Sequence, residues 1–417
     1  MVDKKGIAAL REQYEAYRAK GLKLNMARGI PCTEQIDLSQ PMLSTMLSAA
    51  DCHTSGGVDC RTYAGALFDG IPEAKDFFAE IYGIPRDNII VGGNSSLNMM
   101  YDTVARAMLY GVVGSPAPWC RREHVKFLCP VPGYDRHFKV TQSLGIEMIN
   151  VDLGEDGPDM DTVERLVAED DSIVGMWCVP KYSNPSGVVY SPETVRRLAA
   201  MKTVAPDFRL FWDNAYGVHD LYEPVELTDI FEACRAAGND NRVFYFASTS
   251  KISFPGAGVA IMAASPENLR QIKSVLTIQT IGADKLNQLR HVRYFRDAEG
   301  VRAQMRRHAA ILRPKFDIVL RTFERELTGI ATWGNPRGGY FISLNVPDGC
   351  AKRVFQLMRD AGVTITDAGA TYPYGKDPRD RNLRIAPTYP SCDELQTAID
   401  ILCVCVKLAA AEKEEQA

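Results

Sequence analysis

The sequence predicts an α/β protein built on a largely parallel β-sheet. Short apolar runs alternate with helical patterns through the centre of the chain, which is the order that βαβ units produce. The run at 173–179 is apolar at every position, as expected of a strand covered on both faces. With 417 residues the chain is too long for one simple core, so we expect two domains, or one large domain with an appendage.

The elements are predicted in chain order from their periodicity. The first is an amphipathic helix over about 4–20 that Gly21 ends. The passages 27–39 and 54–72 have no helical face and are predicted as loops. Strands are predicted at 88–91, 125–129, 146–151, 173–179, 209–212, 243–247 and 338–346, and helices at 72–82, 97–110, 160–168, 192–203, 227–236, 305–327, 351–361 and 393–411.

Composition limits the class of protein. Hydrophobic residues make up 46%, charged residues 24%, and the net charge is −4, which describes an ordinary globular protein and gives no support to nucleic-acid binding. The eleven cysteines form no CxxC pair and are predicted to be reduced, mostly buried thiols. The charged N-terminus does not resemble a signal peptide, and no apolar run reaches the length of a membrane span. We therefore expect a cytoplasmic protein with neither nucleic-acid nor membrane partners.

The most informative stretch follows the apolar run 243–247. Ser248, Thr249 and Ser250 place three hydroxyls directly before Lys251, and a segment rich in turn formers follows. An amine held at the end of a core strand is partly desolvated, which lowers its pKa and allows it to form a Schiff base with a carbonyl. The hydroxyls and turn amides would suit an anion such as a phosphate. The alternative is an ordinary loop lysine that reaches solvent.

Other polar residues follow predicted strands at the same edge of the sheet: Asn94, Tyr134, Asn184 and Asp213. Ligands bind beyond the carboxyl ends of the strands in such sheets. Because these four residues and Lys251 all follow strands at that edge, we expect a ligand-binding site there. A carboxylate such as that of Asp213 can hold a pyridine nitrogen protonated.

Each of these residues also has a structural alternative. Asp213 could be a helix cap or salt-bridge partner, Tyr216 a core aromatic residue, and Asn184 the start of a turn. The small-residue turn 92–96, GGNSS, either binds an anion at a helix N-terminus or caps that helix.

Taken together, these motifs carry a resemblance. Asn184-Pro-Ser-Gly, Asp213-x-x-Tyr216, Ser248-x-x-Lys251 and Arg384 in NLRIAP are similar to the ordered signature of fold-type I aminotransferases, which depend on pyridoxal 5'-phosphate (PLP). The match runs from the first helix to Arg384. The stretches GGNSSLNMMYD, DCRTYAG, KISFPGAGV and IGADKLNQLRH resemble the type Ic subgroup of aspartate aminotransferases, whose domain is also described as MocR-like.

The resemblance implies a fold and a role for each matching residue. The fold is a large domain, 50–298, with a mostly parallel seven-stranded sheet, and a smaller α+β domain formed by 1–49 and 299–417. Lys251 would hold the cofactor as the internal aldimine and later move the proton at Cα. Asp213 would pair with the pyridine nitrogen, with His137 behind it, and Arg384 would bind the substrate α-carboxylate. The remaining implied contacts are Tyr216 and Asn184 at the phenolic oxygen, Tyr134 on the ring, Asn94, Ser95, Ser96, Ser248 and Ser250 at the phosphate, Tyr63 at the phosphate of the neighbouring subunit, and Gly29 near the substrate.

The sequence departs from the family pattern at two places. Many relatives carry an arginine eight residues after the lysine, where this chain reads GAGVA, so amides, hydroxyls or another cation must meet the phosphate charge. No obvious arginine reads a side-chain carboxylate. Lys285 falls in about the right stretch, with a solvated helix charge as its alternative, and Arg28, Arg61 and Arg337 are the other candidates.

The activity that the resemblance implies is ping-pong transfer of an amino group from L-aspartate to 2-oxoglutarate in a homodimer with shared active sites. Its alternatives are transfer from another amino acid, a PLP-dependent lyase or decarboxylase, and an effector-sensing regulatory domain. The last is disfavoured because such regulators carry a DNA-binding domain ahead of this one, and only a short helix precedes it here.

Overall fold

The computed structural model describes residues 4–63 and 65–416. Its helices are α1 Lys4–Arg18, α2 Thr33–Asp37, α3 Pro72–Tyr82, α4 Ser96–Tyr110, α5 Asp135–Ser143, α6 Met160–Glu169, α7 Pro192–Ala200, α8 Ile230–Ala236, α9 Pro266–Gln279, α10 Lys285–Phe295, α11 Ala298–Leu327, α12 Ala351–Asp360 and α13 Cys392–Gln416. Its strands are β1 Leu24–Asn25, β2 Ile89–Val91, β3 Lys126–Val131, β4 Glu147–Gly154, β5 Gly157–Pro158, β6 Ile173–Cys178, β7 Arg209–Asp213, β8 Val243–Ser248, β9 Ala260–Ala263, β10 Thr332–Trp333, β11 Ile342–Asn345, β12 Val363–Thr364 and β13 Asn382–Ile385.

The large sheet has the strand order β2-β9-β8-β7-β6-β3-β4-β5. Strands β3, β4, β6, β7 and β8 are mutually parallel, while β9 is antiparallel to both of its neighbours. Every residue of β6 and β7 is buried, because helices cover both faces of the sheet. This confirms the expected α/β class and the mostly parallel sheet; the two-residue strand β5 adds an eighth strand at the edge.

Local sequence signals explain where the helices around this sheet begin and end. The side chain of Ser95 accepts a hydrogen bond from the N–H of Leu97 and so caps the start of α4. Pro72 opens α3, and Gly83 ends it with a φ of 68°, a left-handed conformation that glycine adopts without strain.

Two hydrophobic clusters organise the chain. The first surrounds the large sheet, and the second lies around α11, α12, α13 and the three-stranded sheet β10-β11-β13. Helix α11 is 30 residues long and contributes Met305 to the first cluster and Phe316 to the second. The N-terminal segment joins the second cluster, since β1 pairs in parallel with β12 and Tyr14 is buried there.

Some sequence expectations were wrong in detail. Residues 33–37, predicted as part of a loop, form the short helix α2. Strand β9 was not predicted, because its Ala-rich run after GAG carries little strand signal. Strand β11 covers only 342–345 of the predicted 338–346, since Gly338 and Gly339 pack closely against Tyr182 instead.

All eleven cysteines are free thiols and most are buried. Among the described helices, none combines the length and apolar character that crossing a membrane requires.

Candidate active site

A cavity of about 500 Å³ opens at the carboxyl ends of β6, β7 and β8. It lies where the large sheet meets β13 and the segment that follows β1. Most of the residues singled out in the sequence line it, namely Gly29, Ser95, Ser96, Tyr134, Asn184, Asp213, Tyr216, Ser248, Ser250, Lys251 and Arg384. The residues come from distant parts of the chain because parallel strands bring their ends to one edge.

Lys251 lies three residues beyond the end of β8, in a turn. Its Nζ lies 5.1 Å from the centre of the Tyr216 ring, and Nζ has no hydrogen-bond partner among the residues the structure describes. Burial lowers the pKa of Lys251 below its usual value, and the Asp213 carboxylate opposes this shift without cancelling it. The amine is therefore easier to deprotonate than a surface lysine and suited to act as a nucleophile or base.

Asp213 ends β7 and is 3% exposed. Its Oδ2 lies 3.0 Å from Nε2 of His137, which donates because an ionised carboxylate can only accept. The His137 ring stacks on Trp177, with ring centres 4.3 Å apart, so the imidazole is held in place. The other oxygen, Oδ1, is buried and has no hydrogen-bond partner within the described chain. An unpaired buried carboxylate oxygen on the wall of a cavity is a binding position for a protonated ring nitrogen.

Arg384 reaches the cavity from β13 and is only 8% exposed. Its guanidinium lies 5.0 Å from the centre of the Phe341 ring. Nη1 donates to Oδ1 of Asp135 at 2.8 Å and to Oδ1 of Asn184 at 3.4 Å. A guanidinium held on an aromatic face in a buried position is suited to bind a planar carboxylate.

The opposite end of the cavity is built from hydroxyls and a helix N-terminus. Ser95 and Ser96 begin α4, whose free N–H groups and dipole favour an anion. Across from them, the hydroxyl of Ser250 donates to the backbone oxygen of Asn94 at 2.8 Å and lies 3.2 Å from the hydroxyl of Ser248. A Cβ on Gly258 would lie 3.0 Å from the Ser250 amide nitrogen, so a larger residue there would press against this turn.

A fully buried polar chain lies behind Lys251. The hydroxyl of Tyr340 donates to the backbone oxygen of Lys251 at 3.3 Å and accepts from Nε2 of Gln35 at 3.1 Å. The same Gln35 nitrogen lies 2.9 Å from Nδ1 of His308. Burial lowers the pKa of His308 to about 4, so the imidazole is neutral and Nδ1 can accept. The lysine turn is thus tied to α2 and α11.

The lining of this cavity does not include Asn94, Tyr63 or Lys285. Asn94 lines a neighbouring cavity beside α4 and donates to the backbone oxygen of Gly256 at 3.4 Å. Tyr63 and Lys285 line a separate opening together with Arg61. Lys285 is 6% exposed, so the alternative of a solvated helix charge is wrong for this residue.

The arginines considered for binding a side-chain carboxylate of the substrate differ in their positions and contacts. Arg28 lines the central cavity, whereas Arg61 pairs with Asp59 at 2.7 Å and Arg337 lies over the ring of Tyr222. Arg136, which was not predicted from the sequence, also lines the cavity. Its position two residues after Tyr134, at the same strand end, was the available signal.

The arrangement has the parts that a phosphorylated pyridine aldehyde requires. An amine of lowered pKa, an unpaired carboxylate oxygen, an anion-binding helix end and a carboxylate-binding arginine surround one space. Burial raises the pKa of Tyr134 to about 12, and burial also raises the pKa of Tyr216 well above its usual value, so both phenols remain neutral hydrogen-bonding groups. The residues present therefore fit PLP.

The chain matches known proteins over nearly its whole length. The family model described as aspartate amino-transferase matches residues 4–417. A Corynebacterium glutamicum protein named aspartate aminotransferase is 46% identical over 406 residues, which are 97% of this chain and 93% of that protein.

Solved structures give the same result. A crystal structure of an aspartate transaminase from Corynebacterium glutamicum superposes with a TM-score of 0.95 at 45% identity, covering 99% of this chain and 98% of that one. An α-aminoadipate aminotransferase from Thermus thermophilus, complexed with N-(5'-phosphopyridoxyl)-L-leucine, has a TM-score of 0.76 at 21% identity over 96% of this chain and 95% of that one.

Proposed function

This chain belongs to the aspartate amino-transferase family, and we propose from that premise that it transfers the amino group of L-aspartate to 2-oxoglutarate with PLP as cofactor. One observation carries the proposal. The Lys251 amine, the unpaired Asp213 Oδ1 and the Arg384 guanidinium line a single cavity. They are the base, the ring anchor and the carboxylate anchor that amino transfer needs.

When bound, PLP supplies an electron-withdrawing ring that stabilises the negative charge left when a proton leaves Cα of the amino acid. Asp213 Oδ1 would hold the ring nitrogen in its protonated state, and His137 fixes the orientation of that carboxylate. Tyr216 and Asn184 would donate to the phenolic oxygen, and Tyr134 would cover the ring. Ser95, Ser96, Ser248 and Ser250, with Asn94 behind them, would surround the phosphate.

The substrate would bind at the other end of the cavity. Arg384 would hold the α-carboxylate, and the amine of Lys251 would move the proton between Cα of the substrate and the carbon that carries the aldehyde group of the cofactor. Arg28 and Arg136 line the cavity without any ion pair among the described residues, so they are the cations within one chain that would meet a second carboxylate. This replaces Lys285 as the first candidate for that role within a single chain.

We also propose a homodimer. Tyr63 is 77% exposed and lines, with Lys285, an opening separate from the central cavity. Ile281 lines the same opening and is 56% exposed, and Ile278, three residues earlier in the sequence, is 86% exposed. An apolar surface of this kind beside an incomplete cavity supports a subunit contact in which Tyr63 and Lys285 complete the neighbour's site.

We also propose two domains and a cytoplasmic location. The division into 50–298 and the pair 1–49 and 299–417 is supported by the two hydrophobic clusters and by the passage of α11 from one to the other. A cytoplasmic location is supported by the free cysteines, which suit a reducing compartment.

The test is an absorption spectrum of the purified holoenzyme before and after addition of L-aspartate. We expect the cofactor band to shift and one equivalent of oxaloacetate to appear, and 2-oxoglutarate to restore the original spectrum. Lys251→Ala should fold normally and show no conversion, whereas Lys139→Ala, at an exposed position of α5, should behave as the wild type. A cofactor band that responds to another amino acid but not to aspartate would reject the substrate and keep the reaction class.

A further inference from the structure

Arg384, the proposed anchor for the substrate carboxylate, is paired with a carboxylate of its own chain. Its Nη1 lies 2.8 Å from Oδ1 of Asp135, and the two side chains are only 9% and 16% exposed. Asp135 lines the same cavity as Arg384. A pair that is shielded from water in this way is stronger than a surface ion pair, so it competes with anything else that binds the guanidinium.

The hydrogen bonds of the guanidinium show where a ligand can enter. Nε lies 3.3 Å from Oγ1 of Thr366, a residue outside the cavity lining. Nη1 bonds to Asp135 and Asn184, and both of these line the cavity. No described residue bonds to Nη2. A bidentate carboxylate needs two adjacent N–H groups. On the cavity side these are Nη1 and Nη2, and Asp135 already occupies Nη1.

We propose that Asp135 is an internal counter-carboxylate of Arg384 that the substrate carboxylate displaces when it binds. This inference rests on the proposed function, because it takes the ligand of Arg384 to be a carboxylic acid. The geometry also provides for the displaced group. Asp135 is the first residue of α5, where the free N–H groups of the helix stabilise a negative charge. Arg136, which has no ion-pair partner among the described residues, is its neighbour in sequence.

The exchange has two consequences for selectivity. Without substrate, Asp135 keeps the guanidinium on the Phe341 ring and neutralises its charge. With substrate, binding requires a carboxylate that replaces Asp135, so a neutral or cationic ligand gains nothing from Arg384. The cost is a lower affinity for the acid than an unpaired arginine would give.

The variant Asp135→Asn tests the exchange because it keeps the size of the side chain and removes its charge. Succinate is the probe, since it has two carboxylates and no amino group and therefore cannot react. Titration calorimetry of the PLP-loaded enzyme should show succinate binding roughly tenfold more tightly to Asp135→Asn than to the wild type. Asp135→Glu, which keeps the charge, should not show this gain. The matched control is Asp348→Asn, which removes an aspartate 2.9 Å from Arg379 outside the cavity and should leave succinate binding unchanged.

Steady-state kinetics test the displacement of Asp135 independently. The KM for aspartate should fall in Asp135→Asn while kcat changes little, because the ligand replaces Asp135 before the chemical step. Weaker or unchanged succinate binding in the Asn variant would overturn the inference and make Asp135 a residue that only orients Arg384. If Asp135→Asn does not fold, Asp135→Ser takes its place with the same expectation. Tighter succinate binding without any conversion of aspartate would reject the proposed function and leave the exchange standing.

Discussion

Gly29→Ala should weaken substrate binding by displacing the aromatic ring under Arg384. A Cβ at position 29 would lie 2.0 Å from Cζ and 2.5 Å from Cε1 of Phe341. Since carbon atoms pack at about 3.5–4.0 Å, the ring tip must retreat by roughly 1.5 Å. The backbone of Gly29 does not require glycine, because its φ is not positive. The contact with Phe341 is therefore the reason that we expect alanine to be unfavourable here.

The magnitude follows from what Phe341 supports. Its ring centre lies 5.0 Å from the Arg384 guanidinium carbon, a cation–π contact worth about 0.5–2 kcal/mol at this burial. Losing most of it should raise the KM for aspartate by about 2- to 30-fold with kcat nearly unchanged. Overpacking of a buried site should also lower the free energy of unfolding by about 1–3 kcal/mol.

The assay combines steady-state kinetics with thermal unfolding of Gly29→Ala. Gly56→Ala is the matched control, because a Cβ there meets only Thr54 Oγ1 at 3.8 Å, and it should change neither quantity. Adding Phe341→Leu to Gly29→Ala should recover part of the stability and none of the substrate affinity. A Gly29→Ala enzyme with wild-type KM and wild-type stability would show that the ring is free to move and that the reasoning is wrong.

Two further predictions concern Asp213 and buried histidine. Asp213→Asn keeps an acceptor for His137 but leaves no charge opposite the ring nitrogen of the cofactor. The kcat should therefore fall by at least about 100-fold while the protein still binds PLP. A loss of rate below tenfold, measured by single-turnover absorbance, would show that Asp213 is not the partner of the ring nitrogen. The second prediction is that protonation of His308 makes the stability of the protein depend on pH. The pKa of His308 is lowered to about 4 in the folded protein, so between pH 6.5 and 4 the unfolded chain binds a proton that the folded chain does not. The stability that this neutral histidine contributes is present above pH 6.5 and is lost as pH falls towards 4, by roughly 3 kcal/mol in total. In urea unfolding across this pH range, the free energy of unfolding should change less steeply with pH in His308→Gln than in the wild type. An identical pH dependence in the two proteins would contradict a lowered pKa for His308.

A site residue could be predicted from the sequence where a polar residue follows a clear apolar run. Asp213 and Lys251 could be placed at strand ends because β7 and β8 are buried along nearly their whole length and then stop. Contacts that depend on the packing of distant segments leave no such pattern in the sequence. Asp135 and Arg384 are 249 positions apart, and nothing near Gly29 indicates that Phe341 will lie against it. Strand β9 was not predicted because its four apolar residues, Ala-Ile-Met-Ala, are too few to show whether they form a helix or a strand.

The polar chain behind Lys251 has a consequence for the order in which the protein folds. Gln35 and His308 are 273 positions apart, and Gln35 and Tyr340 are 305 apart. During synthesis, the buried amide of Gln35 emerges from the ribosome long before either partner has been made. We therefore expect the large sheet to form first and α2 to dock last, which makes completion of the lysine turn a late event in folding. A nascent chain halted before Tyr340 should contain the core strands and yet lack a finished catalytic turn.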